Sequence, residues 1–107
     1  MAAFCNGMAA KGYPVITTGD FNSNEISKAF PKLLADCNMQ DCKFTAKKLL
    51  NSIGSWHELG LATPSTYSCD HITATKDVTV HQFETLIYNE QIYGSDHSWL
   101  VSDISLN

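Results

Sequence analysis

The sequence predicts an α/β fold in which helices cover a mixed sheet, and three features of the chain predict it. An Ala-rich start gives way at Gly12 to an apolar run, the middle spaces its apolar residues as helices do, and the part after Cys69 is rich in β-branched residues. No internal repeat or low-complexity tract intervenes, so one domain over residues 1–107 built on one mixed sheet is the simplest architecture.

Met1 to Lys11 reads as a helix closed by Gly12 as its C-cap, with Pro14 opening a strand. The run Tyr13-Pro14-Val15-Ile16-Thr17-Thr18 is expected to be a buried strand that ends just before Gly19-Asp20-Phe21-Asn22. Ser23 then offers a cap, and Ile26, Ala29, Phe30, Leu33 and Leu34 follow at helical spacing, with Pro31 fitting either a helix start or a kink. Asp41 to Ser52, containing Ala46, Leu49 and Leu50, is expected to form a second short helix. Gly54 to Ser68, with Gly60, Pro64 and several Ser and Thr, reads as a long loop. Three strands complete the pattern: Ile72 to Thr75, Val78 to Leu86 and Trp99 to Leu106.

At 107 residues the chain can bury a core, since a domain of this size removes roughly two-thirds of its unfolded surface from water. Hydrophobic residues at 44% and charged residues at 17% exclude the composition of a disordered segment. A net charge of −4 and a pI near 5.4 exclude a broad basic footprint for a nucleic-acid backbone. A divalent cation would reverse that sign locally, because carboxylate oxygens are what hard cations such as Mg²⁺ prefer.

Cys5, Cys37, Cys42 and Cys69 have neither CxxC spacing nor the density of a disulfide scaffold, so free thiols in a reducing, cytoplasmic compartment are expected. No run approaches the roughly 20 apolar residues of a membrane span, and Met1-Ala2-Ala3-Phe4-Cys5 lacks the basic start of a signal peptide.

The residues that carry chemistry stand at strand ends. Hydrolysis of a phosphate ester needs an activated water, positive charge or donors for the phosphoryl oxygens, and stabilisation of the leaving oxygen. Asp20 can orient or deprotonate the water, Asn22 can donate to a phosphoryl oxygen, and Asp96 can ligate Mg²⁺. His97 can contact the phosphate as imidazolium if a carboxylate orients its ring, and Asp70, at a neighbouring strand end, is assigned that role. The plainer reading of Asp20-Phe21-Asn22 is an Asx-type turn, and Ser95-Asp96 is common turn chemistry; their joint order, each abutting an apolar strand, favours a site. His57 and His71 read as solvated or packed, and His81 as exposed. Adjacent residues of Cys69-Asp70-His71 point to opposite faces of a strand, and a thiol nucleophile at Cys69 using His71 as its base is disfavoured.

Pro14 to Asn22, then Cys69-Asp70-His71-Ile72, then Ser95-Asp96-His97 resemble the endonuclease/exonuclease/phosphatase superfamily, the deoxyribonuclease-I-like fold. Gly54-Ser55-Trp56-His57-Glu58-Leu59-Gly60 also resembles a loop found before the Asp-His-Ile motif in some members. The resemblance implies a phosphoesterase dependent on Mg²⁺ or Mn²⁺, with Asp20 and Asn22 at water and phosphate, Asp70 paired with His97, and Asp96 near the metal. Its substrate would be a nucleic acid, a phospholipid head group or a small phosphoester. Ser98-Trp99 departs from the family, where a residue and then Pro usually follow Ser-Asp-His.

Superfamily domains are typically more than twice as long and form a four-layered α/β sandwich, with a metal-ligating Glu and another catalytic His in the N-terminal half. Neither motif is visible, so the resemblance implies the C-terminal half alone: an α+β half-sandwich, its sheet largely antiparallel, with helices on one face. Its other face should be apolar, which implies self-association through that face or marginal stability. The leading expectation is a metal-dependent phosphoesterase half-domain needing an N-terminal portion for full activity. A non-catalytic remnant that binds a partner is the rival, and a zinc or thiol site using Cys37, Cys42 and Cys69 a third reading.

Overall fold

Helix α1 (Ala2–Ala10) forms where the Ala-rich start predicts it and closes at Lys11. Gly12 then takes φ 86°, left-handed backbone that glycine adopts without a Cβ penalty, and turns the chain into the first strand. These coordinates come from a computed structural model that describes residues 1–23, 27–51, 54–56, 68–86 and 97–107.

Strand β1 (Ile16–Asp20) runs further than expected, carrying Gly19 and Asp20 into the ladder. It is also exposed where a buried strand was expected: Ile16, Thr18, Gly19 and Asp20 all lie open, because β1 is an edge strand of its sheet. Helix α2 (Ala29–Cys37) starts later than a cap at Ser23 would place it and holds Pro31 in its first turn, where a missing N–H costs nothing. Asn38, left-handed at φ 53°, ends it.

The expected second helix is one turn long, α3 (Cys42–Thr45), capped by the Asp41 carboxylate, which accepts from Lys43 N–H at 3.0 Å. Two short strands flank it, β2 (Met39–Asp41) and β3 (Lys48–Leu50), where no strand was expected. Strands β4 (Asp70–Thr75), β5 (Thr79–Thr85) and β6 (Leu100–Ser105) match the three β-branched runs to within two residues.

The strands divide into two three-stranded sheets instead of the single sheet expected. The first, in the order β1-β4-β2, is antiparallel throughout. The second, β3-β5-β6, pairs β3 parallel to β5 and β6 antiparallel to β5, with an irregularity between Val80 and Gln82. Two apolar clusters follow from this layering. Cys5, Val15, Cys37 and Met39 pack α1 and α2 onto one face of the first sheet. Ala74, on the other face, joins Cys42, Val78, Val80 and Phe83, with Ile72, Leu100 and Ile104 against them. Among the described residues no helix is long and apolar enough to cross a membrane.

Candidate active site

The site begins at the β1–β4 ladder. The register sets Asp20 directly opposite Asp70, so both carboxylates rise from the same face of the first sheet. Gly19, at φ 145°, holds backbone that an L side chain would strain, although a Cβ there would meet nothing within 4 Å. Conformation, not space, therefore calls for glycine beside Asp20.

Asp20 Oδ1 accepts from Asn22 N–H at 2.8 Å, and Asn22 sits at φ 51°. This is the Asx turn of the plainer reading, and it also fixes the carboxylate. Phe21 N–H donates to Cys69 C=O at 2.8 Å, tying the turn to the chain entering β4.

His97 arrives from the other sheet, three residues before β6. It is held by an antiparallel bridge to Trp56, and Ser98 N–H donates to Ser55 C=O at 2.5 Å. Its Nδ1 lies 2.5 Å from Asp70 Oδ2, and its Nε2 lies 4.0 Å from Asp20 Oδ2. A carboxylate can only accept, so Nδ1 carries the proton shared with Asp70, and Nε2 is the nitrogen turned toward Asp20. Asp70 and His97 thus belong to facing sheets, not to neighbouring strands of one. Beside them opens a cleft of about 520 Å³ lined by Thr18, Asp70, Ile72, His97, Trp99 and Leu100, among others.

Two residues outside the expected set hold these groups in place. Ser55, buried, accepts through Oγ from both Cys69 N–H and Asp70 N–H, each at 3.2 Å. His71, on the opposite face of β4, is buried and stacks on Phe30 with ring centroids 3.7 Å apart. Its Nε2–H donates to Ser23 C=O at 2.6 Å, so it anchors the loop that leaves Asn22. The expectation of a packed His71 is met, but packing understates its part. The Gly54-Ser55-Trp56 segment was the only sequence signal for Ser55.

Cys69 is 4% exposed and turns toward the site, with Sγ 3.6 Å from both Asp70 Oδ2 and His97 Nδ1. Burial, then the Asp70 charge, push its thiol up to about 11, so it stays protonated at neutral pH. Asp20, Cys69 and His97 offer a carboxylate oxygen, a thiol sulfur and an imidazole nitrogen that all lie within 4.8 Å of one another. That donor set fits a divalent cation. For Mg²⁺, which takes oxygen ligands, it supplies one carboxylate.

Of the residues expected at the site, Asp20, Asp70 and His97 come together, and Asn22 sits exposed on the adjoining turn. Asp96 and His57 lie outside the described residues. The Cys37, Cys42 and Cys69 grouping does not form: Cys37 packs in one apolar cluster, Cys42 in the other, and Cys69 faces His97.

No protein-family model and no curated protein matches the chain by sequence. Solved structures do. An endonuclease/exonuclease/phosphatase from Bacteroides vulgatus superposes with a TM-score of 0.81 at 25% identity, over 88% of this chain and 37% of its own. A mannosyl-6-phosphatase from Bacteroides thetaiotaomicron gives 0.82 at 16% identity, over 97% of this chain and 42% of its own. An endonuclease/exonuclease/phosphatase family protein from the same organism gives 0.81 at 17%, over 98% and 42%. The chain spans about two-fifths of the length of these relatives.

Proposed function

We propose that this chain, which carries part of the endonuclease/exonuclease/phosphatase fold, forms the Asp20–Asp70–His97 portion of a divalent-metal-dependent phosphoesterase site. The observation that carries the reading is the single ring of His97, bonded through Nδ1 to Asp70 and turned through Nε2 toward Asp20, beside an open cleft that Asp70 and His97 line.

In this reading Asp70 fixes the orientation of the His97 ring through Nδ1, and Nε2, when protonated, donates to a phosphoryl oxygen. Asp20, held by its bond to Asn22 N–H, orients the attacking water and takes its proton. The Asn22 carboxamide donates to a second phosphoryl oxygen without adding charge. Asp96 would hold Mg²⁺ or Mn²⁺, which supplies positive charge against the phosphoryl oxygens when bound. The substrate is a phosphodiester or phosphomonoester.

The test is hydrolysis of bis(p-nitrophenyl) phosphate and p-nitrophenyl phosphate with Mg²⁺ or Mn²⁺, with and without EDTA, on the chain and on its His97→Ala variant. Turnover that EDTA and His97→Ala each abolish is expected. A rate that survives either treatment rejects the site. The second reading, a non-catalytic module that binds a partner, is favoured by the exposed Ile16, Trp99 and Val101; absence of metal-dependent turnover, with the chain folded, would leave it standing.

A further inference from the structure

Cys69 is a thiol inside a hydrolytic site whose chemistry has no use for one. Strict alternation along β4 would turn it away from Asp70. Cys69 precedes the strand, however, and its backbone is tied down on both sides, N–H to Ser55 Oγ at 3.2 Å and C=O to Phe21 N–H at 2.8 Å. Those ties bring Sγ to 3.6 Å from His97 Nδ1.

We propose that Asp20, Cys69 and His97 form an inhibitory site for a thiophilic divalent cation, with Zn²⁺ the biological representative of the class. The three donors come from three separate segments and lie within 4.8 Å of one another, as ligands of one ion must. The choice of ion follows from the sulfur. A hard cation such as Mg²⁺ ignores a thiol, whereas Zn²⁺ and Cd²⁺ form strong bonds to thiolate and imidazole.

Binding exchanges protons for the metal: the S–H bond breaks and an S–metal bond forms, while His97 keeps its Nδ1 proton toward Asp70 and offers Nε2 as a neutral imidazole, so the thiol proton, with the Nε2 proton of any imidazolium, leaves to solvent. Burial, and after it the Asp70 and Asp20 carboxylates, keep the proton on sulfur, and the same two carboxylates favour a dication beside it. A bound ion occupies His97 and Asp20 together, so neither can serve a phosphoester. The inhibition rests on the phosphoesterase reading; the binding does not.

The experiment titrates the chain with Cd²⁺ and follows the ultraviolet cadmium–thiolate charge-transfer band, with equilibrium dialysis against Zn²⁺ for stoichiometry. One equivalent is expected, with the band lost in Cys69→Ser and affinity reduced about 10-fold or more in Asp20→Asn. Cys69→Ala serves as a second variant, and circular dichroism confirms that each is folded. A band of full intensity in both Cys69 variants would assign it to Cys5, Cys37 or Cys42 and overturn the site, as would the absence of one-to-one binding.

A kinetic arm adds Zn²⁺ to reactions held in excess Mg²⁺. The inhibition constant should rise about 10-fold or more in Cys69→Ser, each rate taken relative to that variant's own zinc-free rate. An unchanged constant rejects the inhibitory role. Cadmium binding without any hydrolysis would sink the phosphoesterase reading alone, and hydrolysis without cadmium binding would sink this inference alone.

Discussion

Asp20 and Asp70 oppose each other across the β1–β4 ladder, and one ring, His97, stands between them, 2.5 Å from Asp70 and 4.0 Å from Asp20. Like charges at directly opposed positions cost about 0.2–1 kcal/mol. Asp20→Asn keeps the acceptor for Asn22 N–H while removing one of the two charges. It should raise the melting temperature by roughly 1–8 °C and lower phosphodiester turnover by about 10²-fold or more. Thermal melts and initial rates on the same preparation check both. A variant both less stable and equally active would contradict the opposition of the two carboxylates and the role of Asp20.

In the proposed site Asp70 acts through His97, not on the substrate. Asp70→Asn keeps the shape but presents an amide to Nδ1 and so permits the wrong tautomer. Turnover should fall by about 10²–10⁴-fold. Because the two residues work as a unit, Asp70→Asn combined with His97→Ala should be little worse than His97→Ala alone. Losses that multiply would show that the 2.5 Å contact carries no shared function.

His71 is a positioning residue on the far side of β4. His71→Phe would keep the stack on Phe30 and remove the donor to Ser23 C=O. The fold should lose about 1–3 kcal/mol, and the loop bearing Asn22 should loosen. His71→Gln, which retains a donor, should recover part of both activity and stability; equal loss in the two variants would assign His71 to packing alone.

Legibility in the sequence followed the range over which each element is decided. Strands β4, β5 and β6 were readable because their β-branched runs are long enough to speak for themselves. Leu49 and Leu50 were assigned to a helix by spacing, yet the helix stops at Ala46, whose ψ of 135° is extended, and Lys48–Leu50 joins β5 as a parallel strand. A three-residue strand is fixed by its partner, which local pattern cannot contain. The division into two sheets was hidden for the same reason. That Asp20, Asp70 and His97 come together was legible because all three stand at or beside strand ends. Ser55 and the turn of Cys69 toward His97 depend on contacts 14 and 28 residues apart.

Ser55 satisfies two backbone donors with one hydroxyl at the start of β4. Ser55→Ala leaves both without that acceptor in a buried place, which should cost about 1–3 kcal/mol. Urea titration would register it as a lower midpoint at unchanged slope. Since the orphaned groups include Asp70 N–H, turnover should fall as well. A midpoint within error of the parent would mean that other acceptors take over.

Alkaline pH should unfold this protein through its buried thiols. Burial first, and then the neighbouring carboxylates Asp41 and Asp70, push Cys42 and Cys69 from the ordinary 9.0 up to about 11. Below pH 9 both thiols are protonated in the folded and unfolded chains, and their contribution is fully present. Between about pH 9 and 11 the unfolded chain has released protons that the folded chain retains, so the folded state is progressively disfavoured. Urea midpoints measured at pH 8, 9.5 and 10.5 should be level and then fall. Burial raises the Cys37 thiol as well, so Cys69→Ser removes one of several such groups and should flatten the decline in part. At pH 7.5 the same protonation predicts that iodoacetamide labels native Cys69 far more slowly than the unfolded chain. A decline of equal steepness in Cys69→Ser, or rapid native labelling, would contradict the raised thiol and with it the placement of Cys69 between burial and the Asp70 carboxylate.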